Sequence, residues 1–394
     1  MKKSSLLLLL ISWACLLQAQ PDIQRKLQAQ FIEVDNNGLV ELPEGIFTIS
    51  TTLSMDGKQG VTIRGKGPDK TILNFAGQIS GAEGIRITNG SNITIEQLTV
   101  QNTKGDAIKT QLVDGIRFLN VKTEWTRGAH SSNGGYGIYP VQCQRVLIDS
   151  CYARGASDAG IYVGQSHHII VRNSTATENV AGIEIENSLY AEVHNNKAFN
   201  NTGGILVFDL PDLIVKRGGF TKLHNNEVLD NNHDNFAPKG NIVGKVPPGT
   251  GIMILAANHV DIHDNRIVNN RTAGTVVVSY YITENPINDS SYHPYPSAIS
   301  IHDNFYERRN ERATMQGRMG KLFRFKLRFG KKVPHILYDG IPDPQAAGKP
   351  AICISNNHNQ SFANIDAANG FKNISRDTGP YSCNLSIPVN VQMQ

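Results

Sequence analysis

Charge imbalance is the first thing this sequence lacks: 38 Lys and Arg face 34 Asp and Glu, for a formal net charge of +4. That is too small to argue for a nucleic-acid partner. Aromatic residues are scarce at 7% of the chain, and only two are tryptophan. With 36 glycines and many asparagines, this composition suits strands and turns better than helices. Beyond the first twenty residues, no apolar run approaches the ~18 needed to span a bilayer, so no transmembrane segment is expected. Marked chemistries are missing too. There is no Gly-Gly-x-Gly-x-Asp calcium repeat, no Cys-x-x-Cys-His haem attachment and no Gly-x-Ser-x-Gly nucleophile elbow. No metal ligand set is expected, and the cofactor stays open.

What is present begins with an export signal. Lys2-Lys3, an apolar run from Leu6 to Leu17 and a small residue at Ala19 read as a secretory signal peptide over 1–19. Cys15 lies inside it; a lipoprotein would acylate that residue, but Trp13 just before it fits that reading poorly. Removal of Lys2 and Lys3 lowers the charge from +4 to +2. Export to the periplasm, the outer membrane or the medium permits disulfides. Cys353 and Cys383 bracket a polar tail and are the expected pair, whereas Cys143 and Cys151 read as a second pair or as buried thiols.

A repeat organises the rest. Gly84-Ile-Arg-Ile, Ala107-Ile-Lys-Thr, Gly137-Ile-Tyr-Pro, Gly160-Ile-Tyr-Val, Gly182-Ile-Glu-Ile, Gly204-Ile-Leu-Val and Gly251-Ile-Met-Ile recur at spacings of 23, 30, 23, 22, 22 and 47. A second register marks the following corner: Ile148-Asp-Ser, Val171-Arg-Asn, Val193-His-Asn, Leu223-His-Asn, Ile262-His-Asp and Ile301-His-Asp. Spacings near 22 are single coils. Thirty is a coil with an insertion, and 47 is two coils or one with a long excursion. Each strand alternates apolar and polar over three to five residues and cannot bury its inner face alone. Stacking strand on strand, Ile over Ile, closes a continuous core. Asparagine suits the corner because it tolerates left-handed angles and its amide can bond the next coil's asparagine. The fold class expected is all-β: a single-stranded right-handed parallel β-helix of about ten coils. At ~4.8 Å per coil the rod is on the order of 50 Å long.

The division expected is a capping helix over 20–35, the β-helix over 36–305, and a basic cover with a polar tail over 306–394. Open rod ends are exposed sheet edges and need covering. Asp22 is placed to cap a short helix with Ile23, Leu27 and Phe31 on one face. Residues 306–332 carry ten Lys and Arg against Glu307 and Glu311. They read as a solvated cover over the last coil or as a surface for an anionic ligand or partner.

In the first register the second-position Ile points inward, so the third position points out. That outward column reads Arg86, Lys109, Tyr139, Tyr162, Glu184, Leu206 and Met253. Two residues on, it reads Gln111, Val141, Gly164, Glu186 and Phe208. The insertion "EWTRGAHSSNGG" at 124–135 brings Trp125, Arg127 and His130 to the same flank, and Asp158 sits at the turn into Tyr162. A long groove on such a face suits a linear polysaccharide. Abstracting a proton beside a sugar carboxylate needs a cation, a base and an acid. Lys109, Arg127 and His130 with Tyr139 or Tyr162 supply those roles for a uronate epimerase or lyase. Hydrolysis instead needs two carboxylates: Glu184 with Glu186, ~7 Å apart on one strand, or Asp158 with Glu184. Arg86 and Glu186 flank the substrate, and Trp125 would stack on a sugar ring. The plain alternative is that outward Lys, Glu and Tyr are ordinary cross-strand partners. The recurring His194, His224, His263 and His302 read as corner residues of the repeat.

"TKGDAIK" (103–109), "TEWTRGA" (123–129), "GGYGIYPVQC" (134–143), "GASDAGIYVGQS" (155–166), "NVAGIEIENS" (179–188), "NTGGILVFDLP" (201–211) and "DNNHDNFAP" (230–238) resemble a family of exported bacterial parallel β-helix repeat proteins, over about residues 36–285. More distantly the chain is similar to the carbohydrate-binding and sugar-hydrolase β-helix superfamily, which includes NosD-like copper-site assembly proteins and alginate epimerases. The resemblance implies fold and export; the close family carries no established activity. The Asp-Pro-His-Asp/Glu run of the mannuronan epimerases does not occur. Two functions follow as expectations: a uronate lyase, epimerase or glycoside hydrolase acting on a polysaccharide, or a non-catalytic scaffold that partners another exported envelope protein.

Overall fold

A computed structural model of the chain describes residues 23–314, 321, 324–327, 333–346, 348 and 350–393. The expected signal peptide over 1–19, Cys15, Asp22 and much of the basic stretch 306–332 lie outside the described residues. The chain winds as a parallel β-helix whose strands form two sheets. Among the described residues sheet 1 has 11 strands in strict chain order, each pairing in parallel with the next coil. Sheet 2 has 19 among the same residues and bends at a corner, so the rod has three faces. Coils advance in the right-handed sense that parallel crossovers adopt.

The inward column forms as the repeat predicts. Ile85, Ile108, Ile138, Ile161, Ile183, Ile205 and Ile252 stack in register and are fully buried. The 30-residue spacing is one coil, because Ile108–Gln111 pairs directly with Tyr136–Val141. The 47-residue spacing is also one coil, since Gly203–Phe208 pairs directly with Thr250–Leu255. Residues 230–249 are therefore an excursion.

Asparagine divides its two corner roles between neighbours. Asn173, Asn195 and Asn225 take φ of 51°, 55° and 53°, values an asparagine adopts at modest cost. The next residues, Asn196 and Asn226, are buried and pass hydrogen bonds coil to coil: the Asn196 Nδ2 donates to the Asn226 Oδ1 at 3.1 Å and to the Val171 carbonyl at 2.8 Å. The series continues through Asn265 and Asn304. A second ladder runs Asn179, Asn201, Asn231 and Asn270 at the turn into sheet 1. From Gln144 to Glu307 the corner inside sheet 2 is two residues, as between Leu189–His194 and Lys197–Phe199 or between Asn258–His263 and Arg266–Val268, whereas the first coils turn over 42–44 and 65–70. Excursions open at both corners between the sheets: 125–135 and 230–249 where sheet 2 passes into sheet 1, and 209–218 and 279–296 where sheet 1 passes into sheet 2.

A helix over 23–33 covers the first coil. Leu27 and Phe31 are buried in the rod's core and Ile23 packs against it. The Gln24 side chain donates to Thr51 Oγ1 at 2.7 Å and accepts from the Ser50 amide at 2.8 Å. The far end corrects the boundary expected at 305. Ile336–Tyr338 and Phe362–Asn364 extend sheet 1, and Ile352–Ser355 extends sheet 2, all in parallel. The long insertion between Glu307 and Ile336 hides this repeat in the sequence. Cys353 and Cys383 are disulfide-bonded, with Cα atoms 5.0 Å apart. Cys143 and Cys151 are separate buried thiols, and burial pushes them up to about 11 and about 12. No helix of the described residues is long and apolar enough to cross a membrane.

Candidate functional site

The outward column assembles on sheet 1 in the expected order. Arg86 pairs with Lys109, Lys109 with Tyr139, Tyr162 with Glu184, Glu184 with Leu206 and Leu206 with Met253. The lower part is open: Arg86 is exposed, and Lys109 and Tyr139 are half-buried. The Lys109 Nζ stands 4.9 Å from the centre of the Tyr139 ring. That ring meets Tyr162 edge-on at 4.9 Å, and both touch Tyr136 at 4.5 Å.

Above the tyrosines the structure corrects the expectation of a solvent groove. Tyr162 is 4% exposed, Asp158 5%, Glu186 8% and Glu184 1%. They lie outside the rod's core, beneath a second layer. The excursion 230–249 folds back over this face, with Phe236, Ala237, Ile242, Val243 and Val246 in one apolar cluster with Tyr162 and Leu206. Its Asn241 donates from Nδ2 to Asp158 Oδ2 at 2.8 Å. The Tyr162 hydroxyl donates to Glu186 Oε1 at 2.6 Å. Gly164 makes this geometry possible, because a Cβ there would stand 2.4 Å from the Tyr162 hydroxyl oxygen. Glu184 has no hydrogen-bond partner on either carboxyl oxygen.

Burial without a compensating cation sets the electrostatics. It holds the Glu184 carboxyl well above the usual range, with the neighbouring Glu186 and Asp158 adding to the effect. Asp158 is raised to about 7 by burial, against the lowering bonds from Asn241 and Tyr136. Glu186 is raised to about 7 by burial, against the bond from Tyr162. Asp106, beside Tyr136, is raised by burial to about 6, with Lys109 opposing. Burial raises Tyr136, Tyr139 and Tyr162 as well and keeps them neutral. Burial thus favours the neutral form of each of these groups.

The insertion 124–135 delivers less than its sequence suggests. Trp125 is 2% exposed and its indole N–H donates to the Thr103 carbonyl at 2.8 Å. It is a core residue, and the proposed ring stacking on a sugar is corrected. Arg127 turns to Asn133, and the His130 Nδ1 bonds Ser132, so neither is drawn to the tyrosines. Three members of the cluster escaped the sequence reading: Tyr136, Asp106 and Asn241. Tyr136 had a signal, because the positions aligned with it in the next coils are Ala159, Ala181 and Gly203. Asn241 had none, standing 83 residues from Asp158 in an excursion without a repeat. Among the described residues, no group of three or more His, Cys, Asp or Glu is arranged to hold a metal ion.

Coils, inward isoleucines and asparagine ladders define a parallel β-helix repeat protein. Residues 83–237 match the family described as right handed beta helix region, and the fold is a right-handed parallel β-helix. Among solved structures it is similar to the A-module of the Azotobacter vinelandii mannuronan C-5 epimerase AlgE4, with 16% identity, a TM-score of 0.56 and coverage of 86% of this chain and 90% of that one. The A-module of AlgE6 from the same organism matches with 14% identity, a TM-score of 0.50 and coverage of 86% and 91%. At these identities the likeness is one of fold. No curated protein sequence matches this chain.

Proposed function

We propose that this protein is exported and acts on an acidic polysaccharide laid along the outer face of sheet 1, by proton transfer of the uronate lyase or epimerase type. The carrying observation is the unbroken contact from cation to acid: Lys109 over Tyr139, Tyr139 on Tyr162, and Tyr162 bonded to Glu186. Arg86 and Lys109 on the open coils would hold the sugar carboxylate, which acidifies the adjacent C–H. Glu186 or Asp158, near pH 7, is suited to accept that proton. The neutral tyrosines are suited to protonate a leaving oxygen or return a proton to the opposite face. Glu184 and Glu186, alternate outward residues of Ala181–Glu186, would serve a glycoside hydrolase instead. The Cys353–Cys383 disulfide supports export, because such bonds persist in oxidising compartments.

The test is turnover of purified protein on a panel of acidic and neutral polysaccharides. A lyase produces unsaturated-uronate absorbance, an epimerase exchanges the C5 proton with solvent, and a hydrolase releases reducing ends. The uronate reading requires one of the first two, with loss in Lys109→Ala and in Tyr162→Phe. Reducing ends alone would move the assignment to Glu184 and Glu186. One observation favours the non-catalytic alternative: the acids are sealed under 230–249 and latched by Asn241. Inactivity on every polymer, with tight capture of one envelope protein, would establish that scaffold role.

A further inference from the structure

The polar column does not end at Glu184 and Glu186; it passes into an apolar one. Glu184 is followed on successive coils by Leu206, Met253, Val276 and Leu337, and Glu186 by Phe208, Leu255 and Val278. These side chains face outward from the sheet yet are buried. The layer that covers them does not pack against them throughout. Between sheet and cover lies a cavity of about 550 Å³, walled by Phe208, Met253, Leu255, Val276, Val278 and Leu337 and roofed by parts of 242–248, 282–284 and 365–374. Its volume and apolar lining are those of a small-molecule site. Its polar lining includes Lys245, Thr283 and Glu284, which lie together, since Lys245 Nζ bonds the Thr283 carbonyl.

Phe208 is the joint between the two regions. It pairs with Glu186 on one side and lines the cavity on the other. The outward residues of sheet 1 thus run from cations, through tyrosines and carboxylic acids lying beneath 230–249, to an aliphatic chamber. We infer that the substrate is an amphiphile: a saccharide that carries an aliphatic chain, whose sugar lies on the Arg86–Tyr139 side and whose chain occupies the cavity. The inference rests on the reading of sheet 1 as the saccharide face and adds the class of substituent. The apolar part of the lining sets that class, being mostly Leu, Val, Ile and Met with the rings of Phe208 and Phe371. A glycolipid and an acylated glycan share this chemistry.

Calorimetric titration of the full chain with methyl, butyl, octyl and dodecyl β-D-glucuronide tests it, each kept below its micelle concentration. Affinity should rise by about fourfold per methylene, as ~0.8 kcal/mol of burial each implies, and then level off once the cavity is full. Leu255→Trp and Val276→Phe fill the chamber and should remove the dependence on length while leaving methyl glucuronide binding unchanged. Equal affinity at every length would overturn the inference, and because this series uses the wild-type chain, a misfolded variant cannot mimic that result. So would a length dependence that survives both variants. Dodecyl maltoside distinguishes the two readings. If it matches dodecyl glucuronide and Lys109→Ala weakens neither, the aliphatic site stands and the uronate assignment falls. If oligouronates bind through Lys109 but chain length is without effect, the uronate assignment stands and the amphiphile falls.

Discussion

Sheets 1 and 2 share one core but meet the outside differently. On sheet 2, outward residues make ladders at the surface. His194, His224, His263 and His302 stack with ring centres 4.9, 5.1 and 5.0 Å apart, and Arg172 pairs with Asp149 at 2.7 Å. On sheet 1, Ala159–Gly164, Ala181–Glu186, Gly203–Phe208 and Thr250–Leu255 are buried at every position. A parallel sheet covered on both faces reads as a near-continuous apolar run, whereas one with a wet face alternates. "GILVF" and "GIMIL" are the first kind and "LYAEVH" is the second. Acids inside "GIEIE" are therefore the anomaly. They sit where the covered face demands apolar residues, and a solvated face would have left their carboxyls in the ordinary range.

The largest test concerns what both sheets depend on. Asn201 accepts from the Asn179 backbone and side chain and donates to the Ala176 carbonyl and to Asn231. Asn201→Ala should lower unfolding stability by about 4 kcal/mol, as several buried groups lose partners at once. Denaturant unfolding measures it. Replacing Cys353 and Cys383 by Ser should cost about 3 kcal/mol for a closure separated by 30 residues. That loss should localise to the last coils, which hydrogen exchange resolves.

Glu184→Met sharpens the contrast between the faces. It removes two unpartnered buried oxygens, and stability should rise by about 1–2 kcal/mol while any activity falls. The pH dependence follows with a definite sign. Asp158 and Glu186 have folded values raised to about 7, above the ~4 of an unfolded carboxyl. Their contribution is complete below about pH 4 and is lost as pH rises towards 7. Tm should therefore fall between pH 4 and 7, and Asp158→Asn should flatten that slope. The smallest effect belongs to sheet 2. His224 is pushed down to about 4 by burial and by its histidine neighbours. His224→Ala should cost about 0.5 kcal/mol near neutral pH, the scale of one stacked pair, and should lessen the fall in Tm that a histidine held neutral in the fold imposes as pH drops below the ~6.5 of an unfolded imidazole.

Much of this was legible because a coil of fixed length converts sequence spacing into spatial register. The inward isoleucines and the outward column from Arg86 to Met253 could be read directly, while the Cys353–Cys383 pair was expected only because the two residues bracket a polar tail. The strands from Leu206 onward also held a readable sign, since their outward residues are apolar, but only a covering layer explains why. That layer comes from the excursion 230–249 and from segments after 280, none of which carries the repeat. For the same reason the seal over Glu184 and the latch from Asn241 to Asp158 left no trace in spacing. Trp125 misled because an aromatic residue in an insertion reads as exposed, whereas its indole N–H finds a buried carbonyl at Thr103.

The two-residue corner inside sheet 2 works as a spine. From Ser91–Gln101 to Ser297–Glu307 this edge of each coil keeps one length, and the opposite edge is free to accept grafts of different sizes without altering the rise of the rod. Each graft then arrives over sheet 1 at a height set by the coil that bears it. New recognition elements can thus be exchanged one storey at a time, while a single residue inserted at the spine would throw every storey above it out of step.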